Sequence, residues 1–480
     1  MGEKLKIIQY VLLIVLLVFG AVRTYQRHVT YEFSYHHDEW QHLGISKQII
    51  DEKYNLNYNP FIGEERHHKD LESGFHLFLS SFFLMYDLNP INSYKYLASI
   101  FFIFSGLAIY VCVSKLSKNY LTGLVALIVF ISLKSNVNIL GNEFFVPMIM
   151  SLPFVFIYIL NFKNIKLSFI ILMFLLFIYP PTFILLFPTI FVPFFHNDNK
   201  NKKFYFVGFL LLGLLLILYL IWVGDIKNSL KYLIDLLYFE KGWGRLEVKF
   251  LIPLLYGIFN TILALFGFVK VFKKQKNFII FSYLAFFNLT LITIFNTFDF
   301  SIIIPYSRAV HYTMIAFIPL TSFGFVYLID KLVKKNYTKY IVSLIFLLII
   351  LNSKYSLDEN FKNYSTPVLT KSGYNSLKWF NENYGVNHTL ITPFFMTSAV
   401  YPISKNKAVS LIPAQLDGGF IDENLAFYKQ ECEQKNVPIE KSKAEFVLSP
   451  LVIECNSFLE IYSNDFYIYF INICLLICKY

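Results

Sequence analysis

Residues 35–42 read Tyr35-His36-His37-Asp38-Glu39-Trp40-Gln41-His42, and the chain continues Leu43-Gly44-Ile45-Ser46-Lys47-Gln48-Ile49-Ile50. From Asp38 onward the apolar positions Leu43, Ile45, Ile49 and Ile50 predict an amphipathic helix. Asp38 opens it as an N-cap-like residue, and Asp38, Glu39 and His42 then fall within one turn. Just upstream lies an apolar run, residues 7–21, behind Lys4 and Lys6. It reads as a signal anchor rather than a cleaved signal peptide, because strongly apolar runs follow and no clear small-residue cleavage site does. A dense polar segment therefore sits right after a first membrane span.

Composition supports that frame. The chain has 480 residues, 56% hydrophobic and 19% aromatic but only 15% charged, where soluble domains carry about a quarter charged. A mean hydropathy of +0.53 over this length excludes a disordered chain, a soluble enzyme and a small disulfide scaffold. Apolar runs at 7–21, 93–113, 120–133, 143–160, 167–179, 182–195, 204–223, 250–269, 277–295, 309–329 and 340–351 predict about eleven spans. The net charge of +10 does not point to nucleic acid, because the lysines sit in short clusters between apolar runs. Arginine is scarce: Arg23, Arg27, Arg66, Arg245 and Arg308 are all there are.

The run 74–86 is too short for a span and decides the orientation. If it lies in the membrane surface, the lysine-rich short loops at 115–119, 161–166, 196–203, 270–276 and 331–339 share the side of the N-terminus. The short loops on the other side, 134–142 and 297–307, then carry only Lys134. By the positive-inside rule the N-terminus is cytoplasmic and 74–86 is an interfacial or re-entrant helix. Loop 22–92, loop 224–249 and the tail are then extracytoplasmic. The expected division is a membrane region, 1–352, and a small α/β domain, 353–480. The tail predicts helices near 373–383 and 423–432 and strands at 389–392, 408–411, 444–448 and 466–471. Cys432 and Cys455 lie in this exported tail, where they can pair or stay as free thiols.

Asp38 and Glu39 are candidates for a general base or for holding a divalent metal such as magnesium or manganese, with His37 a further metal candidate. An ordinary capped surface helix would carry the same residues. A second polar run, Glu64-Glu65-Arg66-His67-His68-Lys69-Asp70-Leu71-Glu72, leads into the interfacial helix. Arg308 sits in Pro305-Tyr306-Ser307-Arg308-Ala309-Val310-His311-Tyr312 at the outer end of a span. A guanidinium there suits a phosphate, or snorkels to the interface. Pro180-Pro181 breaks a helix between two short runs. No zinc spacing, Walker loop or GxGxxG is present, which argues against an ATP-driven pump.

Taken in order, these motifs resemble the GT-C type glycosyltransferases, polytopic enzymes that use polyprenyl-phosphate-linked sugars. The resemblance rests on D-E-x-x-H-x-x-x-x-K from Asp38 to Lys47, on Lys69-Asp70-Leu71-Glu72-Ser73-Gly74 before the short helix, and on Arg308, Tyr312 and Pro319 late in the chain. Protein mannosyltransferases and aminoarabinose transferases carry Pro-Pro before that helix, where this chain has Asp70-Leu71-Glu72. The resemblance implies an inverting transfer on the extracytoplasmic face, with Asp38 and Glu39 catalytic. It makes His42, His68, Lys69, Glu72, Tyr306, Arg308 and Tyr312 candidate substrate contacts. The implied partners are a polyprenyl-phosphate sugar donor, a glycan, lipid or protein acceptor, and the bilayer. An oligosaccharide transferase or ligase is the neighbouring reading. A transporter would need charges in mid-span and repeated groups of spans, and the sequence has few of the first and no convincing example of the second.

Overall fold

The computed structural model describes residues 3–52, 58–65, 72–133, 141–162, 164–191, 218, 238–240, 251–274, 278–332, 338, 367–411, 419–432 and 434–471. The expected span 340–351, all of 204–223 except Leu218, and the site candidates His68 and Lys69 lie outside the described residues. The fold is mostly helical. Among the described residues, four helices are long and apolar enough to cross a membrane: Ile7–His28, Pro90–Ser117, Ile279–Phe298 and Tyr306–Leu332. Ser73–Met85, Tyr120–Ile131, Pro147–Asn161, Ile165–Ile178 and Ile258–Val271 are apolar but shorter. The chain divides into two compact units, Met1–Val29 with Tyr96–Ser365, and Thr30–Lys95 with Thr366–Tyr480.

The first unit is a helical bundle. Its opening helix, Glu3–Tyr25, buries Gln9, Leu13, Leu16, Gly20 and Thr24, spaced three or four residues apart on one face. Ile7, Val11, Ile14, Val18 and Val22 are exposed, an apolar surface suited to lipid. The buried stripe packs on Leu97–Ser117, where Ser99 Oγ donates to the carbonyl of Ala21 at 3.0 Å. Helix Ile165–Ile178 stops at Tyr179, whose backbone is extended, and Pro180 begins Pro180–Leu186 at a position that needs no N–H. The proline pair thus breaks the helix where the sequence predicts. Helices Ile258–Lys274 and Tyr306–Leu332 touch backbone to backbone. A Cβ on Gly267 would stand 2.0 Å from the carbonyl oxygen of Leu320, and one on Gly324 would stand 2.5 Å from that of Leu263. Small residues permit such close crossings in membrane bundles.

The second unit joins the first loop to the tail. Its sheet has the order Lys407–Ala408, Thr389–Ile391, Phe446–Ser449, Tyr467–Ile471, Phe458–Ser463. The first three strands run parallel and the last two pair antiparallel. Phe446–Ser449 is buried along its whole length, as a central strand covered on both faces must be. Helix His37–Glu52 packs on Thr397–Ser404: Ile45, Phe61, Tyr401 and Leu411 form one apolar cluster, and Lys47 Nζ donates to the carbonyl of Pro402 at 2.9 Å. Lys405 and Asp51 pair at 2.9 Å beside them. Cys432 and Cys455 are joined in a disulfide, with Cα atoms 5.6 Å apart.

Candidate active site

The helix foreseen from Asp38 begins at His37, and its start explains the polar cluster. His36 Nδ1 accepts the backbone N–H of Asp38 at 3.1 Å. Glu39 Oε2 reaches back to accept the N–H groups of Tyr35 at 2.9 Å and His36 at 3.1 Å. This is a capping-box contact, which satisfies donors that a helix start leaves open and puts a negative charge at the positive end of the dipole. Trp40 is fully buried and its Nε1 donates to the carbonyl of Ser34 at 2.8 Å. The loop 34–36 is therefore fixed from both sides.

The two carboxylates consequently differ. Glu39 is 1% exposed and one of its oxygens holds backbone. Asp38 is 6% exposed, with Oδ1 3.6 Å from His36 Nδ1. His37 Nδ1 lies 3.2 Å from Ser398 Oγ, and burial, with His36 alongside, lowers its pKa to about 4. It is neutral at physiological pH. The phenol of Tyr94 is fully buried, close enough to Glu39, Asp38 and Glu72 to feel their charge.

Helix Ser73–Met85 matches the short run read as interfacial. Glu72 precedes it as N-cap without a side-chain capping bond, and His76 follows one turn later. His42 Nδ1 is 2.9 Å from His76 Nε2 and 3.7 Å from Glu72 Oε2. Among the described residues, these three form a group whose ligand atoms all lie within 4.8 Å of one another, and Asp38, Glu39 and His37 do not. The sequence singled out His42 and Glu72 but not His76. A lone histidine inside an apolar run reads as packing. The signal that finds it is its i, i+4 spacing from Glu72.

In the first unit, Tyr306, Arg308 and Tyr312 share helix Tyr306–Leu332. Tyr306 stacks on Phe295 with ring centroids 4.3 Å apart. Tyr312 is buried and its hydroxyl bonds Thr182 Oγ1, which in turn lies 3.0 Å from Ser151 Oγ, a hydroxyl chain linking three helices. Arg308 is half-buried in the first turn, and its backbone N–H donates to Pro305. A cation there opposes the helix dipole, at a cost of about 0.3–1 kcal/mol. His311, three residues on, is 1% exposed, and neither ring nitrogen has a hydrogen-bond partner among the described residues. Arg27 pairs with Glu143 at 2.6 Å and stacks over Phe144.

The chain matches no protein-family model and none of the curated proteins. Its fold is similar to solved structures of the oligosaccharyltransferase of Archaeoglobus fulgidus. For the apo form the TM-score is 0.62 at 12% identity, covering 91% of this chain and 69% of that one. For the complex of that enzyme, AglB, with an inhibitory peptide and a dolichol-phosphate, the values are 0.58, 11%, 93% and 70%. For its complex with Zn and sulfate they are 0.59, 13%, 90% and 67%. The chain therefore has the fold of a GT-C type glycosyltransferase.

Proposed function

We propose that the protein is a membrane glycosyltransferase that moves a glycosyl group from a polyprenyl-phosphate-linked donor to an acceptor on the extracytoplasmic face. The observation that carries this reading is the GT-C fold over 91% of the chain, together with a carboxylate pair at a buried helix start behind the first apolar helix. In this reading the N-terminus is cytoplasmic, about eleven spans cross the bilayer, and loop 22–92 and the α/β tail 353–480 are extracytoplasmic. A lipid-linked donor reaches such a site through the bilayer, which accounts for a sequence without a nucleotide cradle.

The acceptor group attacks the anomeric carbon while the bond from that carbon to the phosphate oxygen breaks, with inversion. Asp38 takes the acceptor proton; general-base help of this kind contributes about 10²–10⁴-fold. Glu39, through its two backbone N–H bonds, holds the helix start that carries Asp38. Arg308 supplies positive charge to the leaving phosphate, with Tyr306 and Tyr312 on the same helix and His68 and Lys69 as further contacts. His311, also on that helix, joins this set because its ring nitrogens are buried and unsatisfied. Asp38, Glu39 and His37, the residues expected to hold magnesium or manganese, do not converge into one ligand set among the described residues.

Oligosaccharide transfer is the second reading, favoured by the fold neighbours, which are oligosaccharyltransferases. A panel of labelled polyprenyl-phosphate and -diphosphate donors, from monosaccharide to oligosaccharide, tests both with the enzyme in proteoliposomes. Label transferred only from long glycans selects the second reading. Transfer from a monosaccharide donor selects the first. No consumption of any donor, with crude extracts supplying acceptor, removes both.

A further inference from the structure

We propose that His42, Glu72 and His76 form a binding site for a divalent d-block ion of the zinc type, which pins helix His37–Glu52 to helix Ser73–Met85. The inference rests on the geometry of the second unit and is independent of the reaction proposed above. His42 comes from the first helix, Glu72 from the residue capping the second, and His76 from the second helix one turn later. Their ligand atoms lie within 4.8 Å of one another. Adjacent ligands on an ion bonded at about 2.1 Å stand about 3.0–3.4 Å apart, for octahedral and tetrahedral angles respectively. The His42–His76 nitrogens at 2.9 Å and the His42–Glu72 atoms at 3.7 Å bracket that range. A small rotation of the Glu72 side chain, 27% exposed, closes the difference.

The chemistry of the set selects the ion. Two imidazoles with one carboxylate suit zinc and its first-row neighbours, whereas magnesium and calcium prefer all-oxygen shells. The ligand bodies are held. His42 is 7% and His76 1% exposed, and the edge of Phe75 meets the His42 ring with centroids 5.0 Å apart. Ser80 Oγ bonds the carbonyls of His76 at 2.7 Å and Ser46 at 2.9 Å, which already ties the two helices one turn further on. Three protein ligands leave at least one coordination position open, and the exposed side of Glu72 is where water or another oxygen ligand enters. Because His42 follows Asp38 by one turn, an ion here fixes the helix end that carries Asp38 and Glu39. It is a positioning site, separate from those two carboxylates.

The test uses the full-length protein in detergent, stripped with EDTA and reloaded with Zn²⁺ or Co²⁺ alone. The expected result is about one Zn²⁺ per chain, a cobalt visible spectrum of a nitrogen–oxygen site, and a rise in melting temperature on reloading. Glu72→Gln, nearly isosteric, and His76→Asn should each weaken binding by more than about 100-fold, and Asp38→Asn should not weaken it. Metal-free wild type and Glu72→Gln should melt at similar temperatures, which separates ligand loss from misfolding. Wild type that binds no Zn²⁺ would overturn the proposal and leave a hydrogen-bonded histidine pair. So would variants that retain full metal content, or a loss of metal caused by Asp38→Asn instead. Turnover is not a readout, so failure here and failure of the glycosyltransferase reading are distinguishable.

Discussion

Asp38 and Glu39 are neighbours with the same chemistry and different surroundings. Glu39 accepts two backbone N–H bonds that hold the loop before its helix, while Asp38 faces the histidine-rich start of that helix. Their variants should separate. Glu39→Ala removes the cap and should cost about 1–2 kcal/mol of stability, read as a lower melting temperature, with Glu39→Gln milder because an amide oxygen still accepts. Asp38→Asn should leave the melting temperature almost unchanged and lower turnover about 10²–10⁴-fold. Arg308, in the first turn of its helix, is the proposed phosphate contact. Arg308→Ala should raise the KM for lipid-linked donor about tenfold or more, a bidentate phosphate contact being worth roughly 1.5–3 kcal/mol. Unchanged donor affinity would remove it from the proposed phosphate site.

At the scale of elements, two crossings carry clear predictions. Gly267→Val or Gly324→Val forces a side chain into the facing carbonyl, 2.0 and 2.5 Å from the new Cβ. Backbone cannot yield as a flexible side chain can, so either change should cost more than about 3 kcal/mol, seen as loss of monodisperse protein in detergent. Reducing the Cys432–Cys455 bond, which spans a separation of 23 residues, should cost about 3 kcal/mol, measured by melting with and without reductant. Helix His37–Glu52, helix Ser73–Met85 and the break at Pro180 were legible because each rests on local chemistry: a capped amphipathic pattern, an apolar run of limited length, a missing N–H. Strand Tyr467–Ile471 was legible as the predicted strand 466–471. Helix Thr397–Ser404 was not, since Pro402 stands inside it. Strand Phe458–Ser463 was missed because it alternates poorly, with Leu459 exposed and Glu460 beside it. His76 was hidden because its partners lie on another helix and at a cap, and pairing across elements leaves no periodicity.

For the whole molecule, the fold neighbours and the composition agree. A chain rich in apolar residues, with four helices among its described residues able to cross a membrane, adopts the GT-C fold at only 11–13% identity. Identity that low is what a bundle permits, since lipid-facing and packing positions need only apolar character and size. The chemistry must then be sought at a few positions, and Asp38 is the proposed base among them. The most direct test reconstitutes wild type and Asp38→Asn in proteoliposomes with a labelled polyprenyl-phosphate-linked glycan and an acceptor extract. Wild type should transfer the label, and Asp38→Asn, equally folded by melting temperature and gel filtration, should transfer it at least about 100-fold more slowly. Equal transfer by both proteins would contradict the assignment of Asp38, and no transfer by wild type from any donor would contradict the reading of the protein as a lipid-dependent glycosyltransferase.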